Sequence, residues 1–121
     1  MASLNKVLFI GNLTADPELK TLTSGKSVCN FSIAVNRAFA PEGQPTVDFF
    51  NVVVWNKAAE FVGAYFKKGD PIFVLGQLQN RSWTDNEGQK RYATEVLADE
   101  VSFVKSKGES SAESVKSDPR G

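Results

Sequence analysis

The chain has no histidine, a single cysteine and no net charge, with 14 Lys and Arg set against 14 Asp and Glu. Each shortage excludes something. Without histidine, the commonest general base and the commonest metal ligand are gone. Cys29 alone can neither close an intrachain disulfide nor build a cysteine metal cluster. A balanced charge argues against a generic polycation for duplex nucleic acid, so any nucleic-acid site has to be a local patch. No run approaches the ~18 apolar residues of a membrane span. The opening MASLNKVLFIGNL has an apolar run too short for a signal peptide and no small-residue cleavage site after it. The expectation is a cytoplasmic chain in a reducing compartment, with no metal, cofactor or membrane requirement.

What is present suits one small domain. Of 121 residues, 41% are hydrophobic and 11% aromatic, enough for a core of its own. Apolar patterning ends near Val104. Residues 1–105 are therefore read as the ordered domain. Residues 106–121, serine-rich and without periodicity, are read as a disordered polar tail that cannot bury enough surface to offset its chain entropy.

Within the body the pattern predicts strands with one helix. Residues 7–10, VLFI, form a continuous apolar run, as in a strand buried on both faces. Gly11, Asn12 and Asp16-Pro17 loosen the chain into a bend and loop, and Ser24-Gly25 marks a turn. Residues 28–36 alternate, with Cys29, Phe31, Ile33 and Val35 on one side and Asn30, Ser32 and Asn36 on the other, which makes Cys29 a buried thiol. APEGQPT at 40–46 is a loop, and 47–55 is β-branched and aromatic. The period then changes: Ala58, Phe61, Val62, Tyr65 and Phe66 recur at helical spacing. Asn56 is placed to cap that helix, Lys67 and Lys68 to meet its negative end, and Gly69 to close it. A fourth strand begins at Ile72, and a fifth returns from Tyr92 to Val104.

The order β-β-β-α-β-β is that of an OB-fold: an all-β architecture with one helix, a five-stranded Greek-key barrel. A sandwich with one helix has the same order. The fourth and fifth strands are joined by a long hairpin, RSWTDNEGQKRYATEV at 81–96, whose tip of Asp85, Asn86, Glu87 and Gly88 is turn chemistry. Trp83 and Tyr92 stand on its arms beside Arg81, Lys90 and Arg91. Rings interleaved with cations suit a single-stranded nucleic acid, which offers flat bases and phosphates. The same residues also suit a solvated hairpin whose aromatics pack on the core. On the third strand, period two puts Phe49, Asn51, Val53 and Trp55 on one face and Phe50, Val52 and Val54 on the core face. The mixed first face is as expected of a binding surface, or of a contact between subunits.

Four segments together resemble the bacterial, homotetrameric single-stranded DNA-binding proteins of the OB-fold type. They are NKVLFIGNLTADPELK at 5–20, FSIAVNRAF at 31–39, DFFNVVVWNKAAEFVGAYFKKGD at 48–70 and VLGQLQNRSWTDNEGQKRYATEV at 74–96. The resemblance implies sequence-independent binding of single-stranded DNA in replication, recombination and repair, without catalysis, by a homotetramer. By position it also implies four stacking aromatics: Phe39, Phe49, Trp55 and Trp83. The family often has tryptophan at the first two, where this chain has the smaller phenylalanine, and often phenylalanine at the third, where it has tryptophan. Asn51 joins them on the face, and Lys6, Arg37, Lys57, Lys67, Arg81, Lys90 and Arg91 are candidate phosphate contacts. Phe61 lies in the helix stripe and reads as structural. The family also recruits replication and repair proteins through an acidic tip with a terminal aromatic. SDPRG carries neither, so the resemblance does not extend to that recruitment.

Other functions compete on particular residues. Asp48, Asp70, Asp85 and Glu95 are carboxylates a nuclease could use, but their spacing forms no recognised ligand set. A protein-interaction module on the same fold would not need the aromatic set, and the fold by itself also admits a saccharide ligand.

Overall fold

Alternation and β-branching become strands in the computed structural model, which describes residues 2–104 and 114–116. The strands are β1 (Val7–Leu13), β2 (Glu18–Thr21), β3 (Ser27–Asn36), β4 (Val47–Trp55), β5 (Pro71–Thr84), β6 (Lys90–Phe103) and β7 (Ser114–Lys116). Helix α1 (Asn56–Tyr65) lies between β4 and β5.

The pairings run in a ring. β1 pairs with β5, β5 with β6, β6 with β4 and β4 with β3, and β3 returns to β1 at Asn12↔Ala34 and Leu13↔Ile33. Among these, only β4–β6 is parallel, at Val52↔Val96 and Val53↔Leu97. Five strands in this ring, with a helix between the third and fourth of them, make the expected OB-fold. β2, read as loop in the sequence, is a sixth. Its four residues ELKT are all exposed, so no apolar alternation announces it. It pairs along the edge of β3 that β1 also uses, from Glu18↔Asn30 to Thr21↔Ser27. β1 and β2 thus behave as one strand bent at residues 14–17, where Asp16-Pro17 interrupts it. Gly11 and Asn12 stay inside β1.

Inward positions build the core. Cys29 and Ile33 on β3, Val52 and Val54 on β4, Ile72 and Val74 on β5, and Val96 and Val101 on β6 are buried. Full burial of each such aliphatic side chain contributes about 1.5–3 kcal/mol. α1 closes the barrel with Ala58, Ala59, Phe61 and Val62, and Phe61 meets Phe103 edge-on at 5.1 Å between ring centroids. Two glycines set close approaches. A Cβ on Gly76 would stand 2.2 Å from the Leu97 carbonyl oxygen, where the β5–β6 register shifts, and one on Gly11 would stand 2.7 Å from that of Ala34.

Four expectations change. The VLFI run is covered on one face only: Val7 and Phe9 pack on the core, while Leu8 and Ile10 are 65% and 60% exposed. Apolar continuity signals cover on both faces, but one chain supplies only one of them. The helix ends at Tyr65 with an extended cap at Phe66, so Lys67 and Lys68 lie beyond it, and Gly69, at φ 93°, belongs to the turn after it. That turn is held by the Asp70 N–H donating to the Lys67 carbonyl at 3.0 Å. Asn56 is the first helical residue rather than the cap, and its φ of 58° turns the chain from β4 into α1. Asparagine tolerates that left-handed conformation better than most residues. Finally, β7 pairs with β6 from Ser102↔Ser114 to Glu100↔Lys116, within the tail expected to be unstructured. β6 has an open edge beyond its short pairing with β4, and open edges attract strands. The rest of that tail lies outside the described residues.

Candidate nucleic-acid interface

Strand parity assembles one continuous face. On β4, Phe49 and Asn51 are exposed while Val52 and Val54 are buried, as the alternation predicts. Val53 pairs with Leu97, and Leu97 with Gln77. Paired residues share a side and alternate residues keep it. Arg91, Ala93 and Glu95 on β6, with Gln79, Arg81 and Trp83 on β5, therefore lie on the side of Phe49, Asn51, Val53 and Trp55. β3 extends the face through Ser32↔Asn51 and Ala34↔Phe49, and β2 through Lys20↔Val28↔Trp55.

The parallel β4–β6 pair has a further consequence. The loops that precede these two strands leave the barrel at the same end. One is the 37–46 loop, whose neck is closed by the Arg37 N–H donating to the Thr46 carbonyl at 2.9 Å; it presents Phe39, 80% exposed. The other is the β5–β6 hairpin. Its tip is tied by Asp85, whose Oδ1 accepts from the N–H groups of Glu87 and Gln89 while Oδ2 accepts from Arg91 Nε at 2.8 Å. The Gln89 bond, then Arg91, hold the Asp85 carboxyl below its ordinary range.

The aromatics differ in presentation. Phe49 is 68% exposed and free to stack. Trp83 is 42% exposed, and the Arg81 guanidinium lies over its ring at 4.8 Å from the centroid. Trp55 is half-buried at the β4–α1 junction.

The cations divide in two. Arg37 grips Asp48 through two bonds, Nε–Oδ2 and Nη2–Oδ1, both 2.9 Å, which hold the Asp48 carboxyl below its usual range. With Arg91 on Asp85 and Arg81 Nε 3.9 Å from Glu95 Oε2, every arginine among the phosphate candidates already has a carboxylate neighbour. Lys6, Lys57, Lys67 and Lys90 have no such ion pair among the described residues. Lys90, however, pairs with Thr84 and Tyr92 with Ser82, so both lie on the opposite side of the ribbon from Trp83. Lys6 precedes β1, Lys57 lies in the first turn of α1 and Lys67 in the turn after it, and no strand pairing brings these three onto the face.

Sequence reasoning missed four contributors. Lys20 joins the row of Trp55 only because β2 is a strand. Asn30 and Ser32 carried a signal, being the polar phase of an alternating strand. Glu95 lines a groove of about 300 Å³ together with Asn30, Ser32, Asn51, Arg81 and two further carboxylates, Asp16 and Glu18.

A barrel of this topology, with aromatic rings and guanidinium groups on its open face, defines the oligonucleotide-binding class of OB-folds. The chain belongs to the Single-strand binding protein family, whose sequence profile matches residues 4–104. It is 45% identical over 113 residues to "Single-stranded DNA-binding protein 2" of Clostridium acetobutylicum, covering 93% of this chain and 85% of that one. It is 46% identical over 109 residues to the "Single-stranded DNA-binding protein" of Halalkalibacterium halodurans, covering 89% of this chain and 65% of that one. With "Single-stranded DNA-binding protein 1" of Staphylococcus aureus it shares 45% identity over 105 residues, 86% of this chain and 67% of that one.

Proposed function

We propose that the chain binds single-stranded DNA, largely without sequence preference, and protects it during replication, recombination and repair. The observation that carries this is the placing of Phe49, Trp55 and Trp83 on one face with Arg81, and of Phe39 at the end where that face meets the two projecting loops. Bases stack on the rings, each worth about 1–3 kcal/mol by alanine substitution, and every base has a π-face. Phosphates take Lys20, in the row of Trp55, and compete for the paired arginines. No bond is made or broken, so the role is binding rather than catalysis, exercised in the cytoplasm where the DNA is. Residues 1–105 carry it, and 106–121 are dispensable for DNA contact. Among the described residues no helix is long and apolar enough to cross a membrane.

Self-association belongs to the same reading. Leu8 and Ile10 project from β1 beside Leu75 and Phe73, their partners on β5, and form an apolar patch on the outside of the barrel. Residues 7–11 of β1 pair with β5 on one edge, and their other edge has no strand among the described residues. A second copy covers both, within the homotetramer that the family resemblance implies.

Tryptophan fluorescence titrated with oligo-dT and with a duplex of equal length tests the function. Oligo-dT quenches the emission, and the duplex binds at least about tenfold more weakly because its bases are already stacked. Equal affinities would remove the stacking mechanism.

A further inference from the structure

The groove at the foot of the hairpin is poorly suited to phosphate. Its lining includes three carboxylates, Asp16, Glu18 and Glu95, against one guanidinium, Arg81. Like charges disfavour a backbone phosphate there. Nor does the groove hold a cation site: among the described residues no three acidic groups converge on a position for a metal ion. A neutral group with a hydrogen-bonding edge is what remains, and on a strand crossing this face that group is a base.

The polar groups on the groove wall have spare capacity of a definite kind. The Glu95 side chain is 16% exposed, and among the described residues its one ion-pair neighbour is Arg81, at 3.9 Å. That distance is beyond a hydrogen bond. Among the described residues its carboxylate receives no hydrogen bond. The Arg81 guanidinium also lies over the Trp83 ring, 4.8 Å from its centroid, and keeps N–H donors for a ligand. The groove wall therefore presents an acceptor next to a donor.

We propose that this groove is a base-edge subsite, taking bases whose Watson–Crick edge carries an exocyclic amine beside a ring-nitrogen acceptor. Cytosine and adenine have that edge. The amine donates to Glu95, and the ring nitrogen accepts from Arg81. In the register that sets Arg81 against the ring nitrogen, thymine and guanine place a carbonyl oxygen where the amine would be, against the Glu95 carboxylate, and must slide or turn in the groove to offer it a ring N–H instead. The inference rests on the single-stranded DNA reading and refines it: stacking supplies affinity for any sequence, and the groove adds a modest preference within it. A base seated here lies between Asn51 of β4 and the foot of the hairpin, so Trp83 is positioned to stack on a neighbouring base of the same strand.

The test compares oligo-dC with oligo-dT of equal length, for the unaltered chain and for Glu95→Gln. The substitution should lower the dC-to-dT affinity ratio by about tenfold, the usual scale of one good base-edge contact. Oligo-dT binding should be retained or strengthened, because the glutamine amide can turn its N–H toward the thymine carbonyl. A parallel fall for both ligands would reduce Glu95 to a support for Arg81, and a parallel rise would reduce it to a repelling charge; either overturns the proposal. A second measurement requires no variant to fold. With the unaltered chain, an oligonucleotide of N4,N4-dimethyldeoxycytidine, which keeps the ring but lacks the donor, should bind about tenfold more weakly than oligo-dC. In Glu95→Gln the same methylation should cost much less. Equal binding of the methylated and unmethylated strands by the unaltered chain overturns the subsite while leaving the broader function standing. Failure to bind oligo-dT at all would instead overturn the function itself.

Discussion

The Arg81 guanidinium lies over the Trp83 ring, 4.8 Å from its centroid, on the face of the hairpin that continues the outer face of β4. One side of the indole is thereby occupied by a cation. The pair sets a flat aromatic surface beside a positive charge, the combination a base and its phosphate call for. It also links stacking to the groove, since the same guanidinium approaches Glu95.

Trp83→Ala and Phe49→Ala should each weaken oligo-dT binding by about 1–3 kcal/mol. Both side chains are exposed, so thermal midpoints should hardly move. Paired titrations and melting curves check this. Collapse of the fold in both variants would mean that these rings are core.

Arg81→Lys should weaken binding more than conservation of charge suggests. An ammonium cannot stack flat on an indole as a guanidinium does. The expected signature is reduced tryptophan quenching at saturation with a nearly unchanged salt slope, because that slope counts neutralised phosphates. A change confined to the salt slope would make Arg81 a simple phosphate contact.

Ile10→Asp should leave each barrel folded but dissociate the assembly. The side chain is 60% exposed in one chain, so the charge has no core to disrupt. Light scattering should fall from a multiple of the 13.2 kDa chain mass toward the chain mass itself. An unaltered chain that already scatters as a monomer at micromolar concentration would remove the self-association reading.

Cys29 should resist thiol reagents in the native state. Burial, and secondarily the Glu18 carboxylate, push its thiol up to about 11, so little thiolate exists at neutral pH. Reaction with a chromogenic disulfide should wait for denaturant. Prompt labelling of native protein would place the residue at the surface.

The hairpin tip should loosen only in strong acid. Asp85 is held below its ordinary range by the Gln89 N–H, Arg91 and the Glu87 N–H. A carboxyl depressed on folding contributes stability above its unfolded pKa and loses that contribution as pH falls through its lower folded value. Amide resonances of Glu87 and Gln89 should therefore hold steady from pH 7 to about 4 and shift below that. A midpoint above the ordinary aspartate value would contradict the bonding at the tip.

Period and punctuation made much of the molecule legible. Alternation on β3 and β4 set which side chains face inward, and Val52, Val54, Cys29 and Ile33 are buried accordingly. The apolar stripe of α1 placed Phe61 in the core, and Asp85 with Gly88 marked the hairpin tip. These follow from residue periodicity and local backbone preference, which act within a few residues. Tertiary structure decided the rest. Whether Lys90 or Arg91 shares a side with Trp83 depends on hairpin register, where a slip of one residue exchanges the two faces. β2 exists because the edge of β3 was available to pair, not because ELKT favours a strand. Arg37 meets Asp48, eleven residues away, only because β3 and β4 run antiparallel, and Arg81 meets Glu95 only because the two hairpin arms do. Sequence patterns report what a residue prefers among its neighbours along the chain; which charges neutralise each other, and which apolar face is left uncovered, are settled by contacts between segments that the pattern leaves apart.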